Sequence, residues 1–308
     1  MLLATAGCGG ASALAPNSPD TTTTHPAPTQ SAATATVGPI ALDPGMETTV
    51  CVTLRLDNET PIAITKITAD LAPGSHHLIA YATNESLAHP QPLSCAPFRQ
   101  ILSGDRPLMI VEKSHDELTF PSGVAKVLDP HQMIKLEAHY INSSLQPING
   151  SGQVHFETTA GAQIQDLTPA NIAFFGTQHI HIPPHQTGDT GIHFERGYTG
   201  ASIFGLTTHQ HHFGTRMRVW NSPTARDTST DPIADTDNWS DPPLYRVDPP
   251  IQFNGTSGLS YQCEWFNSSD KPVGFGESAL DEMCFVWLYY YPSHGFEFCI
   301  DGTCIIKS

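Results

Sequence analysis

Positive charge is what this chain has least of. Its 308 residues include 14 Lys and Arg against 30 Asp and Glu, a net charge of -16 with histidine neutral. That balance repels nucleic-acid phosphates and anionic membrane surfaces, which argues against nucleic acid as a partner. Charge of either sign is scarce, at 14% of residues, while Pro (26) and Gly (24) are plentiful. This composition suits a loop-rich β protein outside the cytosol, not a helical one. No run approaches the ~18 apolar residues of a membrane-spanning helix. There is no helix of convincing length and no fixed-period repeat. The length exceeds that of a usual single domain and leaves ample apolar residues for a core.

The chain opens with MLLATAGCGG, which reads as the end of a signal peptide followed by small residues and Cys8. It resembles a bacterial lipobox with Thr5 where Leu is usual, and the resemblance implies an acylated Cys8 on residues 1–8. A trimmed secretory signal with an incidental cysteine is the other reading. Both place the protein outside the cytosol, lipid-anchored to the cell envelope or secreted, where disulfides persist. Setting Cys8 aside leaves Cys51, Cys95, Cys263, Cys284, Cys299 and Cys304, an even number that fits three bridges of undetermined connectivity. Residues 9–37 are Ala, Thr, Ser and Pro with almost nothing to bury, and read as a disordered tether.

From Gly38 onward, short alternating runs sit between Pro, Gly, Asn and Asp clusters: TTVCVTLRL, HHLIAYAT, QMIKLEAHYI and GQVHFET, then NIAFFG, ASIFGLTTHQHH, RMRVW, LSYQCEWF and CFVWLYYYP. These predict an all-β chain built from sandwiches or barrels. A small, polar connecting stretch, TTAGAQIQDLTPAN, places a boundary near residue 160, between domains at 38–160 and 161–308.

Sixteen histidines are present. Side chains two apart on a strand share a face, so His209 and His211 in TTHQHHFG project together and His212 points away. Neutral imidazoles so placed can grip a metal, although His-x-His alone is also compatible with a solvated surface. His76 and His77 are adjacent, and joint ligation requires a turn or bulge to re-aim one of them. In QMIKLEAHYIN, the apolar face is Ile134, Leu136, Ala138 and Tyr140, which leaves Lys135, Glu137 and His139 on a polar face. Met283, in DEMC, is either core filler or a soft ligand. His179, His181 and His185 in QHIHIPPHQ are a further alternating set, for which a surface or loop position is expected.

The ordered succession of His76–His77, His139, His209-x-His211 and Asp281 to Cys284 resembles the copper type II, ascorbate-dependent monooxygenases, the family of peptidylglycine α-hydroxylating monooxygenase and dopamine β-monooxygenase. Supporting matches are Ile182 to Pro184, Gly214 and the YYYP run, so the similarity spans about residues 40 to 295. The resemblance implies two tandem antiparallel jelly-roll-like β-sandwich domains, each with one copper. It implies that His76, His77 and His139 hold an electron-reservoir copper, and that His209, His211 and Met283 hold the copper that binds O2. It further implies hydroxylation of a C–H bond of a small organic substrate, with ascorbate or another one-electron donor. The bridges it suggests are Cys51–Cys95 and Cys263–Cys284, with Cys299–Cys304 closing a local loop. In the peptide-processing member an Arg precedes the His-x-His and a Tyr follows the Met; here Thr207 and Trp287 stand in those places, so a peptide C-terminus is not the expected substrate. Phe285 and Trp287 share the strand face of Met283 and suggest an apolar wall beside it, or ordinary sandwich packing. A non-catalytic copper-binding or delivery protein is the alternative, and a metal-free lectin-like jelly roll uses only the β pattern. A monomer, with O2 and a small molecule as its partners, completes the expectation.

Overall fold

The structure, a computed structural model, describes residues 30–307; Cys8 and the rest of the signal-like segment lie outside the described residues. Strands dominate, with one helical turn at Arg99–Leu102 and a 3-10 turn at Ala162–Asp166. Among the described residues no helix is long and apolar enough to cross a membrane.

The first half of the chain forms two sheets. One runs in the order Gln30–Leu42, Ile148–Ala160, Ile62–Leu71, Val124–Leu128, Thr168–Pro169; the other in the order His89–Ser94, Glu47–Arg55, Met133–Ile141, Ser75–Thr83, Arg106–Val111. The second half forms two large sheets and a small two-stranded one, His181–Ile182 with Val273–Gly274. The larger runs Tyr245–Gln252, Ser202–His209, Phe285–Tyr291, Asn171–Gly176, Glu297–Ile300, Thr303–Lys307; the other centres on Gly258–Phe266 and Gly214–Ser222. Pairing is antiparallel except where Thr168–Pro169 meets Val124–Leu128 and Asn171–Gly176 meets Glu297–Ile300. The change from first to second sandwich falls after Pro169, later than the break expected at residue 160. The tether also ends earlier than its composition suggests. Gln30–Leu42 is a strand that pairs along Ile148–Ala160, so residues 30–37 are not part of a disordered segment. Thr alternating with Ala is a competent strand pattern once a partner offers its backbone.

Strand alternation then builds four layers. In Met133–Ile141 the residues Ile134, Leu136, Ala138 and Tyr140 enter the first sandwich's core with Val154 and Phe156. The sheets approach so closely there that a Cβ on Gly150 or Gly152 would lie 2.6 Å from the Tyr140 ring or 2.4 Å from Leu78, which explains glycine at both positions. Along Phe285–Tyr291, Val286, Leu288 and Tyr290 fill the second sandwich's core, whereas Phe285, Trp287 and Tyr289 join the first cluster. The middle two sheets therefore pack against one another, with Phe285, Trp287 and Tyr289 supplying apolar contact to the first cluster. Across that contact, the Ile110 N–H donates to the Tyr289 hydroxyl at 3.1 Å.

All three disulfides of the described residues join the suggested partners: Cys51–Cys95, Cys263–Cys284 and Cys299–Cys304. The second ties Gly258–Phe266 to the residue beside Met283.

Candidate metal centre

The polar face of Met133–Ile141 does not meet water. Lys135, Glu137 and His139 are at 4%, 0% and 2% exposure, the first two meeting residues of the 81–105 stretch and His139 lying where the second half of the chain approaches. Each polar group therefore needs a partner. Lys135 Nζ reaches Asp105 at 2.7 Å and Glu85 at 2.6 Å. Glu137 accepts the Phe98 N–H at 2.9 Å and the Tyr81 hydroxyl at 3.2 Å. His139 donates from Nε2 to Glu47 at 3.0 Å, and the Ala279 N–H, from the second half, meets the same carboxylate oxygen at 3.2 Å.

His76 and His77 reach the same place by a bulge. Ser75 pairs with Tyr140 and His77 with His139, so His76 is the extra residue of Ser75–Thr83 and is turned to the face of its neighbour. Its ring centroid lies 5.2 Å from that of His77 and 5.3 Å from that of His139.

His209 ends the strand Ser202–His209 and His211 follows it in the turn that leads to Gly214–Ser222. Both are buried, while His212 is exposed, as alternation requires. His209 donates from Nδ1 to Glu112 Oε2 at 3.0 Å, across the interface, and His211 from Nδ1 to the Asp281 carbonyl at 3.3 Å. Anchoring each Nδ1–H leaves each Nε2 with a free lone pair, the usual way an outer contact orients a ligating imidazole. The two Nε2 atoms face each other at 3.2 Å. Two nitrogens at about 2.0–2.1 Å from one tetrahedral ion are separated by roughly that distance.

These sets are not two remote sites. His76 lies 5.4 Å, ring to ring, from both His209 and His211, and it belongs to two triads, His76–His77–His139 and His76–His209–His211, each with one candidate ligand atom per residue within 4.8 Å of the others. The resemblance had placed one set in each domain; the bulge carries His76 far enough into the interface to be shared. Glu297 with Cys299 and Cys304 forms another close group, but both sulfurs are committed to a disulfide.

The electrostatics favour a cation of the soft or borderline kind. Burial, and then the neighbouring His139 ring, pushes His209 down to about 3; burial, then His209, does the same for His211. His76 and His77 are also held well below the usual histidine range, chiefly by burial. These imidazoles are neutral at ordinary pH, so a metal displaces no proton from them. His76 Nε2 and both ring nitrogens of His77 are buried with no hydrogen-bond partner, a costly state that a bound ion relieves.

Met283 is 3% exposed and opens onto a cavity of about 320 Å³ beside this cluster. Phe98 joins the two: it lines the cavity, and its ring stands 5.1 Å from His77 and 5.9 Å from His209. Phe285 lines the cavity and is the ladder partner of His209. Trp287 lies tilted against Phe174, ring centroids 4.0 Å apart, behind that wall, and Thr207 turns its hydroxyl to the Pro243 carbonyl at 3.2 Å; neither lines the cavity. A separate cavity of about 460 Å³ reaches His76 past Ser75, His212, Trp239 and Ser240. His179, His181 and His185 are exposed and take no part.

Glu282 is the organiser that residue patterns did not reveal. Buried beside Met283, its carboxylate accepts N–H groups from His211 (3.0 Å), Phe213 (2.6 Å), Met283 (3.3 Å) and the Trp265 indole (2.8 Å). It thus fixes the His211 turn to the start of the Met283 strand. Glu282 was visible inside DEMC; Glu112, Glu47 and Phe98 had no motif to mark them.

A β-sandwich pair that encloses five buried histidines, with donor atoms close enough to converge on an ion, presents a donor set of the kind suited to copper or zinc. Residues 171–304 match the model of the copper type II ascorbate-dependent monooxygenase family, C-terminal domain. His209, His211 and Met283 lie inside the matched segment; His76, His77 and His139 precede it. No curated protein matches the chain. Among solved structures it is similar to the major capsid protein P2 from bacteriophage PM2 (8% identity, TM-score 0.35, 84% of this chain and 97% of that one). It is also similar to the Sulfolobus turreted icosahedral virus structure (11% identity, TM-score 0.31, 85% and 89%). Likeness at this level supports no inference about fold or function.

Proposed function

We propose that the protein is a copper-dependent monooxygenase that hydroxylates a C–H bond of a small organic molecule, with O2 and a one-electron reductant such as ascorbate. The balance is R–H + O2 + 2 e⁻ + 2 H⁺ → R–OH + H2O. The observation that carries this reading is the buried cluster of His76, His77, His139, His209 and His211 beside Met283, in a chain whose residues 171–304 match the C-terminal domain model of that family. The donor set fits copper: imidazole serves both of its oxidation states, and a thioether favours the reduced one. Bound copper supplies one-electron redox chemistry and a place for O2.

The chain's own contribution is to hold and shield. Glu112 and the Asp281 carbonyl fix the tautomers of His209 and His211, and Glu47 fixes that of His139. Glu282 keeps the His211 turn and the Met283 strand in register. Phe98, tethered through its N–H to Glu137, covers the histidines on the cavity side. Three disulfides support an extracytoplasmic setting, with anchoring through Cys8 as part of the proposal.

The test is copper content of purified, reconstituted protein together with ascorbate-dependent O2 uptake in the presence of candidate substrates. Two coppers per monomer and substrate-coupled uptake, lost in His209→Ala, support the proposal. Copper retained without oxidation of any substrate class supports instead the delivery protein suggested by Thr207 and Trp287. Indifference of stability and binding to chelators refutes both readings.

A further inference from the structure

The cavity beside Met283 has a chemistry specific enough to name its occupant. Its walls are Phe98, Phe174, Phe275, Phe285, Phe298 and Met283. Three of these rings lie nearly parallel to Phe174: Phe285 at 4.5 Å and 17°, Phe298 at 5.0 Å and 19°, Phe98 at 6.1 Å and 13°. Walls that share one ring orientation favour a flat guest that stacks in the same plane.

Charge is kept to the mouth. The charged or amide residues that line the cavity are Arg99, Gln178 and Glu277, all exposed. Nothing on the inner walls can pair with a carboxylate or an ammonium, and burying an unpaired ion there costs far more than stacking returns. The cavity of about 320 Å³ is also ample, since an apolar cavity of about 150 Å³ suffices for benzene. The other cavity at the cluster, lined by Ser75, His76, His212 and Ser240, offers the hydrogen-bonding groups this one lacks.

We propose that the substrate site is this cavity and that it takes an uncharged, flat aromatic molecule of one or two rings, bound by stacking and not by an ion pair. The inference rests on the monooxygenase reading for the word substrate, but the binding itself does not need the metal. A guest among these rings lies against Met283 and Phe285, next to His209.

The test is calorimetric titration of the copper-free full chain with three probes of one shape: n-propylbenzene, 3-phenylpropionate and 3-phenylpropylamine. The neutral probe is expected to bind at least tenfold more tightly than either ion. Phe298→Asp, at a half-buried wall position, is expected to weaken it at least tenfold with the circular dichroism spectrum unchanged. Equal affinity for the three probes, or preference for an ion, overturns the inference on the wild-type protein alone, whether or not the variant folds. Selective binding of propylbenzene that copper-loaded protein with ascorbate and O2 leaves unoxidised keeps the site and refutes the monooxygenase reading. Oxidation of a charged substrate without neutral-probe binding does the reverse.

Discussion

Replacing Glu282 tests whether one carboxylate holds the second half of the metal centre together. It is fully buried and accepts four N–H groups, three on Oε2 and one on Oε1. Glu282→Ala leaves all four without an acceptor. At about 1–3 kcal/mol for each of three buried orphans, with the 3.3 Å contact neglected as weak, the loss is about 3–9 kcal/mol. Glu282→Gln is more discriminating. Its amide oxygen can keep the three donors on one side, but its NH2 then faces the Phe213 N–H, donor against donor, at a cost of about 1–3 kcal/mol. Urea unfolding of the copper-free protein, followed by tryptophan fluorescence, should rank wild type above Gln above Ala. Copper affinity should fall by about 10–100-fold, the usual consequence of losing an outer contact that orients a ligand. A Gln variant within about 0.5 kcal/mol of wild type refutes the acceptor role, because a change that small is what an ordinary surface substitution costs. An Ala variant that is destabilised yet binds copper normally refutes the positioning role.

Because His76 belongs to both triads, His76→Ala should remove more copper than either His139→Ala or His211→Ala, each of which leaves one triad complete; equal metal content after gel filtration contradicts the sharing. Lowering pH should destabilise the copper-free protein between about 4.5 and about 3. The unfolded chain protonates His209 and His211 near 6.5, whereas the fold keeps them neutral down to about 3, so for these two groups the unfolded state binds more protons over that range. Above about 4.5 the buried carboxylates of Glu137 and Glu282, pushed up to about 7, take up protons in the fold and oppose the effect, whereas below it they are protonated in both states. A urea midpoint that is flat or rises from about 4.5 to about 3 refutes the assignment. Tyr289→Phe removes the acceptor of the Ile110 N–H across the interface and should cost about 1–3 kcal/mol by the same urea measurement; no loss means the contact is replaced by water.

Period-2 alternation made much of the site legible. It separated His209 and His211 from His212 and put Phe285 and Trp287 on the face of Met283. It also set His139 opposite Ile134, Leu136, Ala138 and Tyr140. Alternation reports which face, not what covers it. The polar face of Met133–Ile141 reads as a solvated one, yet it is buried: Lys135 and Glu137 pair with Asp105 and Phe98 of the segment that folds over them, and His139 pairs with Glu47. The need for a bulge at His76–His77 followed from strand geometry, but the meeting of the two triads did not, because it depends on how two separately patterned halves dock. Glu112 is invisible for the same reason, since its partner His209 lies 97 positions along the chain. The start of the first strand was missed because Ala and Thr in Gln30–Leu42 have the composition of a linker, and only the long pairing with Ile148–Ala160 distinguishes them.

Glu112 reaching across to His209 also bears on modularity. The segment 171–304, taken by itself, contains His209, His211 and Met283 but neither the carboxylate that selects the His209 tautomer nor the imidazole of His76. A copy of that segment grafted elsewhere carries His209 and His211 without the Glu112 contact that orients the first of them. For this centre, the unit that can be inherited, exchanged or engineered intact is the docked pair of sandwiches.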